Sequence, residues 1–342
     1  MQLKDMIFDL SNIPAPAGFE DKARERVREL LSPFVDEMWT DALGNLIALK
    51  KCGKPNAKKL MFDAHMDETG LIITGIEEGF LRFSCIGGLD PRMLPAHEIR
   101  VLTDPPIYGV IDVIAPHTLT QDELNKPFDT KKLYIDIGLT DDEAKKRVPL
   151  GTPAVFAAGC ISLSESQISG KALDNRACVA IIIKAMEQLS LNEINMDIYC
   201  LISAQEELGF RGAVTGAYSV APDLSIVLDV THAVTPDSKK DEIAHVGKGP
   251  AIGVGPNINR EISKLLFDAA KKNNIPHQTE VMGGSSSTNA WVIQTSRFGV
   301  PTGLISLPLK YMHSPVETID MSDAEAMVRL IVEFVTAKEA SL

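Results

Sequence analysis

Apolar residues recur at helical spacing over residues 1–12 and again over about 19–34, where Val27, Leu30, Leu31 and Phe34 share one face. Two short apolar runs follow at 44–50 and 59–64, the second reading Lys59-Leu60-Met61-Phe62-Asp63-Ala64, and both predict strands. From about 70 to 165 the texture changes to brief β-like runs broken by Gly, Pro and Asp, at 71–74, 99–102, 107–114, 133–137 and 153–156. Frequent short strands with turn signals predict a small barrel or sandwich. After 170 the pattern becomes helix and strand in alternation: a helix at about 175–189, strands at 197–203 and 224–229, a helix at 260–273 and a strand at 302–307. A closing helix starts near Asp323, with Ser322 as its expected N-cap. Such alternation predicts a layered α/β sheet. The expected architecture is an α/β domain assembled from 1–69 and 166–342, interrupted by an all-β insert at 70–165. No internal repeat or low-complexity tract disturbs it.

Composition narrows the class. At 342 residues the chain exceeds the usual single-domain size, and its 45% apolar and 23% charged residues suit a globular protein with a sizeable core. A net charge of −12 argues against nucleic-acid or anionic-membrane partners, which require a basic face. Cys52, Cys85, Cys160, Cys178 and Cys200 are scattered and form no C-x-x-C pair. That pattern speaks against a disulfide framework or a thiolate zinc site and fits a reducing compartment. Lys4, Asp5 and Asp9 interrupt the first apolar residues, so no secretory signal is read there. No apolar run approaches the roughly 18 residues of a membrane span. A cytoplasmic protein is expected.

The chemistry-bearing residues stand where an α/β fold places its site. His65 and Asp67 follow the strand ending at Ala64, and Asp174 stands at the start of the predicted 175–189 helix. Glu206 and Glu207 follow the strand ending at Ser203, Asp229 closes the next strand, and His313 comes shortly after the strand ending at Leu307. In open α/β sheets ligands bind beyond the carboxyl ends of the strands. Each residue alone has an ordinary explanation: a surface pair, a solvated helix face, an N-cap, a turn. Their coincidence at strand ends, in the order His-Asp-Glu-Asp-His, is what points to a shared metal site.

These motifs resemble the M42 family of dinuclear metalloaminopeptidases, whose tetrahedral members are called TET peptidases. The matching stretches are Asp63-Ala64-His65-Met66-Asp67-Glu68-Thr69-Gly70, Lys171-Ala172-Leu173-Asp174-Asn175-Arg176 and Gln205-Glu206-Glu207-Leu208-Gly209-Phe210-Arg211-Gly212-Ala213. Leu228-Asp229-Val230-Thr231-His232-Ala233 and Tyr311-Met312-His313-Ser314-Pro315-Val316-Glu317 complete the set, and the likeness runs from Gly18-Phe19-Glu20 to the last helix. The long interval between His65 and Asp174 sets the chain apart from the related M20 and M28 peptidases, in which it is short. The resemblance implies a three-layer α/β zinc-peptidase domain carrying an inserted barrel-like domain. It further implies two divalent metals, zinc or cobalt, with Asp174 bridging, His65 and Asp229 completing one site, and Glu207 and His313 the other. Glu206 would then be the general base and acid, and Asp67 would orient His65. Peptide substrates and a homo-oligomer, from a dimer to a tetrahedral dodecamer assembled through the insert, are implied as well.

The same fold and ligand set would also serve a deacetylase or another amidohydrolase. Relatives have carried the label endoglucanase, but that chemistry needs two carboxylates and no metal, and it leaves the histidines unexplained. A catalytically dead scaffold is a third alternative, against which all the motif residues are present. The run Gly283-Gly284-Ser285-Ser286-Ser287 lacks a following G-K-[ST] and reads as a turn of the substrate pocket. His97, His117, His232, His245 and His277 lack ligand spacing and read as structural or exposed. Asn289 stands where the family commonly has Asp, and it is expected near the substrate pocket.

Overall fold

The computed structural model describes residues 1–121, 129–236, 238 and 244–337. Among the described residues an eight-stranded mixed sheet organises the molecule. Its strands run, in spatial order, Glu37–Thr40, Leu46–Lys50, Asp197–Ser203, Lys59–His65, Leu224–His232, Thr302–Leu309, Ala251–Val254 and Gln278–Val281. The four central strands, from Asp197–Ser203 to Thr302–Leu309, are parallel. Parallel strands are buried on both faces, which is why their sequences read as nearly continuous apolar runs.

Alternate residues serve different layers. Leu60, Phe62, Ile198, Cys200, Ile202, Ile226 and Leu228 pack into one core with helices Leu3–Asn12, Leu173–Leu189, Arg260–Lys272 and Met321–Thr336. Met61, Leu201 and Val227 pack into another with Arg211–Val220 and Ala290–Ile293. The result is the expected three-layer arrangement. Gly303 lets one layer close: a Cβ there would lie 2.5 Å from Ile262 Cγ2.

A closed antiparallel barrel forms from Gly70–Glu77, Phe80–Ile86, Ile135–Asp136, Ile107–Ile111, Glu98–Val101 and Pro153–Phe156. It has its own core, including Leu71, Leu81, Ile99, Val101, Ile135 and Ala154.

Several local expectations change. The last helix begins at Met321, and its cap is Asp320, whose carboxylate accepts the Ser322 amide at 3.0 Å. Ser322 therefore lies inside the helix. Helix Asp141–Arg147 stands within the β-rich stretch, announced by a capping box of Thr140 and Glu143 that the strand texture obscures. Helix Arg211–Val220 was not anticipated either: Gly212 and Gly216 weaken its helical signature but allow close packing. Edge strand Glu37–Thr40 is mostly exposed and lacks the apolar alternation that would mark it. All five cysteines are free. No helix among the described residues is long and apolar enough to cross a membrane.

Candidate metal centre and active site

Three parallel strands deliver their carboxyl-terminal parts to one place, although Asp229 lies inside strand Leu224–His232, whose pairing continues to His232, rather than closing it. Ser203 pairs with His65 across neighbouring strands, and Asp229 pairs with Ser306 on the next. His65, Asp174, Glu206, Glu207, Asp229 and His313, six of the seven residues singled out from sequence, line a single cavity of about 600 Å³. The seventh, Asp67, lies fully buried behind His65.

The cavity residues gather into two groups, His65 with Glu206 and Asp229, and Asp174 with Glu207 and His313. Within each group the candidate donor atoms lie within 4.8 Å of one another. Asp174 connects them: Oδ1 is 3.2 Å from His65 Nε2, and Oδ2 is 3.4 Å from His313 Nε2. His313 Nε2 is also 3.3 Å from Glu207 Oε1. Glu206 Oε2 and Asp229 Oδ1 stand 3.9 and 4.0 Å from His65 Nε2.

Both imidazoles are held from behind. His65 Nδ1 faces the Asp67 carbonyl at 3.2 Å and its carboxylate at 3.3 Å. His313 Nδ1 lies 2.8 Å from the carbonyl of Gly88, a residue in the loop after a barrel strand. With Nδ1 so occupied, each ring directs Nε2 into the cavity.

Backbone amides are fixed by buried acids in the same way. Asp67 accepts the Glu206 and Glu207 amides, each at 3.0 Å. Glu317 accepts the Asp174 amide at 3.0 Å and the His313 amide at 2.8 Å, so one carboxylate spaces two cavity residues. Asn45 accepts the Ala204 amide and donates to the Gly212 carbonyl, at 2.8 and 2.9 Å, clamping both ends of the glutamate loop. Gln205, Phe210 and His313 take positive φ values of 55°, 62° and 59°. Left-handed backbone at non-glycine residues is costly, and such positions concentrate at functional sites.

A buried ion pair braces the His65–Glu68 loop. Lys171 Nζ contacts the Glu68 carboxylate at 2.7 and 2.9 Å, and the fully buried Arg176 donates to the Met66 and Leu10 carbonyls.

Electrostatics report a shortage of positive charge. Burial pushes Glu206 up to about 9, relieved in part by His65 and reinforced by Asp229 and Glu207. Burial and then Asp174 push Glu207 up to about 7, and burial holds Asp229 well above the usual carboxylate range. Burial works against a charged His313, yet its hydrogen bond to Asp174 and the charge of Glu207 carry it to about 10. Asp174 goes the other way: burial opposes ionisation, but the hydrogen bonds from His313 and His65 outweigh it. Apart from Asp174, the acids and imidazoles favour their protonated forms, and such a donor set has a chemistry that fits cations.

The outlying expectations resolve differently. Asn289 is buried and does not line the cavity; its Nδ2 donates to Asp63 Oδ2 and Ser203 Oγ at 2.8 and 2.9 Å. Asn289 thus stands beside the cavity, next to its lining residue Thr288, with its amide held against the strands that carry Asp63 and Ser203. Ser286, Ser287 and Thr288 do line the cavity, as the turn reading anticipated. His97 and His277 are half-buried, and each turns Nδ1 onto a carbonyl two residues back. His117, His232 and His245 are exposed, although His232 also lines the cavity. Sequence reasoning missed Glu317, the Gly88 carbonyl and Glu280, which lines the cavity from the edge strand.

Known proteins resemble this chain in sequence and fold. A family model described as M42 glutamyl aminopeptidase matches residues 44–330. A lysyl aminopeptidase of Pyrococcus furiosus is 37% identical over 324 residues, covering 93% of this chain and 92% of that one. The structure of an aminopeptidase from Desulfurococcus kamchatkensis superposes with a TM-score of 0.91 at 35% identity, over 98% of this chain and 94% of its own. A Pyrococcus horikoshii TET1 peptidase, which can assemble into a tetrahedron or a large octahedral shell, gives 0.85 at 31% identity, over 98% and 99%.

Proposed function

The chain belongs to the M42 family of peptidases and is an aminopeptidase, and we propose that it removes N-terminal residues from peptides with two divalent cations, zinc or cobalt, held by His65, Asp174, Glu207, Asp229 and His313. One observation supports this reading most directly: two donor groups meet at Asp174, whose oxygens face different imidazoles. Imidazole and carboxylate donors without thiolate suit both metals. When bound, the cations would supply Lewis acidity and a water of lowered pKa at neutral pH.

The remaining work belongs to the protein. Glu206 takes the proton of the attacking water and returns it to the leaving amine, a role worth about 10²–10⁴ in rate. Asp67 keeps His65 oriented while its two oxygens hold the Glu206 and Glu207 amides. Glu317 does the same for Asp174 and His313.

The test is a panel of leucyl-, glutamyl- and lysyl-p-nitroanilide, with an N-acetylated amino acid and carboxymethylcellulose, with and without a chelator. Hydrolysis of an aminoacyl anilide, lost on chelation and restored by zinc or cobalt, is the expected result. Activity confined to the acetyl substrate would favour the deacetylase reading. Chelator-resistant turnover of cellulose would favour a glycosidase, whose paired carboxylates need no metal.

We also propose that the barrel assembles the chain into a homo-oligomer. Support comes from Phe80, Tyr108, Val110 and Val113, large apolar residues left exposed on and beside the barrel strands, and from the assembling TET1 relative. A cytoplasmic location fits the free cysteines.

A further inference from the structure

We propose that Glu280 is a specificity residue that selects substrates with a cationic N-terminal side chain, lysine or arginine; the proposal rests on the aminopeptidase reading. Glu280 belongs to Gln278–Val281, the strand at the edge of the main sheet, and its side chain reaches the cavity wall. Thr231 donates to its Oε1 at 2.5 Å and Ser306 to its Oε2 at 2.6 Å. Those partners tie it to the candidate centre: Ser306 pairs with Asp229 across the sheet, and Thr231 follows Asp229 by two residues on the same strand face. Two residues along a strand span roughly 6–7 Å, a distance that an extended basic side chain bridges.

The charge of this carboxylate is the informative feature. Both its oxygens take neutral hydroxyl donors, and among the described residues no Lys, Arg or His forms an ion pair with it. The other cavity acids, Asp174, Glu206, Glu207 and Asp229, all belong to the two donor groups. Glu280 belongs to neither. Two hydroxyls pin the carboxylate in place while leaving it able to accept further hydrogen bonds, which is the arrangement that suits an incoming ammonium or guanidinium. Phe210, Val230 and Met312 also line the cavity and offer apolar surface for the methylene stem of such a side chain.

The same carboxylate could instead receive the substrate's α-amine, and the two roles separate cleanly. Recognition of the α-amine affects every substrate equally; recognition of the side chain affects basic substrates alone. The experiment compares kcat/KM for lysyl-, leucyl- and glutamyl-p-nitroanilide in the metal-loaded wild type, Glu280→Gln and Glu280→Asp. We expect the wild type to prefer lysyl over glutamyl substrate. Glu280→Gln should lower the lysyl-to-leucyl ratio about tenfold to a hundredfold, the scale of one charge-assisted hydrogen bond. Glu280→Asp, which retains the charge, should keep the lysyl preference over glutamyl. An unchanged lysyl-to-leucyl ratio in Glu280→Gln, whether both activities fall together or neither falls, overturns the assignment while leaving the aminopeptidase reading intact. A wild type inert toward all three anilides overturns both.

Discussion

Glu206 and Glu207 are consecutive, and the two oxygens of Asp67 hold their amides side by side. Their carboxylates nevertheless join different donor groups. The proposed mechanism divides their labour, with Glu207 as a ligand and Glu206 free to move protons. Glu206→Gln should therefore bind both metals and melt like the wild type, yet lose about 10²–10⁴ in kcat. Asp174→Asn removes the charge shared by both groups and should lose metal. Elemental analysis of the purified variants decides the matter: a Glu206→Gln protein lacking one metal equivalent would make Glu206 a ligand instead. The residues in question were legible because each follows an apolar strand or opens a helix. Glu317 lies within its motif without announcing a role, since a buried acid that accepts two amides looks, in sequence, like any turn acid. The Gly88 carbonyl is backbone, and no side-chain pattern announces it. Glu280 stands in a short polar edge strand, where an acid reads as solvated surface.

At the scale of elements, the glutamate loop is held by a close approach of backbone to backbone. A Cβ on Gly212 would lie 2.2 Å from the Ala204 carbonyl oxygen and 2.3 Å from Asn45 Oδ1. Both atoms belong to the clamp that closes the loop, since Asn45 Oδ1 accepts the Ala204 amide and the Ala204 carbonyl accepts the Gly212 amide at 3.0 Å. Gly212→Ala should accordingly cost about 1–3 kcal/mol, the usual scale of overpacking. The measurement is a shift of the denaturant midpoint at constant m-value; a change below about 0.5 kcal/mol would show that the loop has slack. The same residue explains a missed element. Helix Arg211–Val220 owes its closeness to the sheet to Gly212 and Gly216, and small residues that permit such packing are those that erase a helical hydrophobic pattern. Strand 197–203, by contrast, was read to its ends, because a strand buried on both faces is apolar throughout.

For the whole molecule, the barrel and the sheet are linked through the site itself. The loop following barrel strand Phe80–Ile86 brings the Gly88 carbonyl to His313, and a Cβ on Gly87 would stand 3.1 Å from Glu207 Oε2. Assembly through the barrel would thus buttress a loop that touches the candidate centre. A chain of net charge −12 repels its own copies, so association must draw on apolar area. Tyr108 and Val110 would supply it: they stand two residues apart on strand Ile107–Ile111, share one face, and are 63% and 47% exposed. Replacing both with glutamate should lower the mass measured by light scattering relative to the wild-type oligomer while the circular dichroism spectrum stays constant. A double variant that keeps its full mass would move the interface off this face, and a wild type that is monomeric at micromolar concentration would remove the assembly proposal altogether. Metal affinity gives the assay a second axis. If assembly steadies the Gly88 loop, the dissociated variant should bind its metals more weakly, by the 10- to 100-fold typical of losing the hydrogen-bond partner of a ligating imidazole.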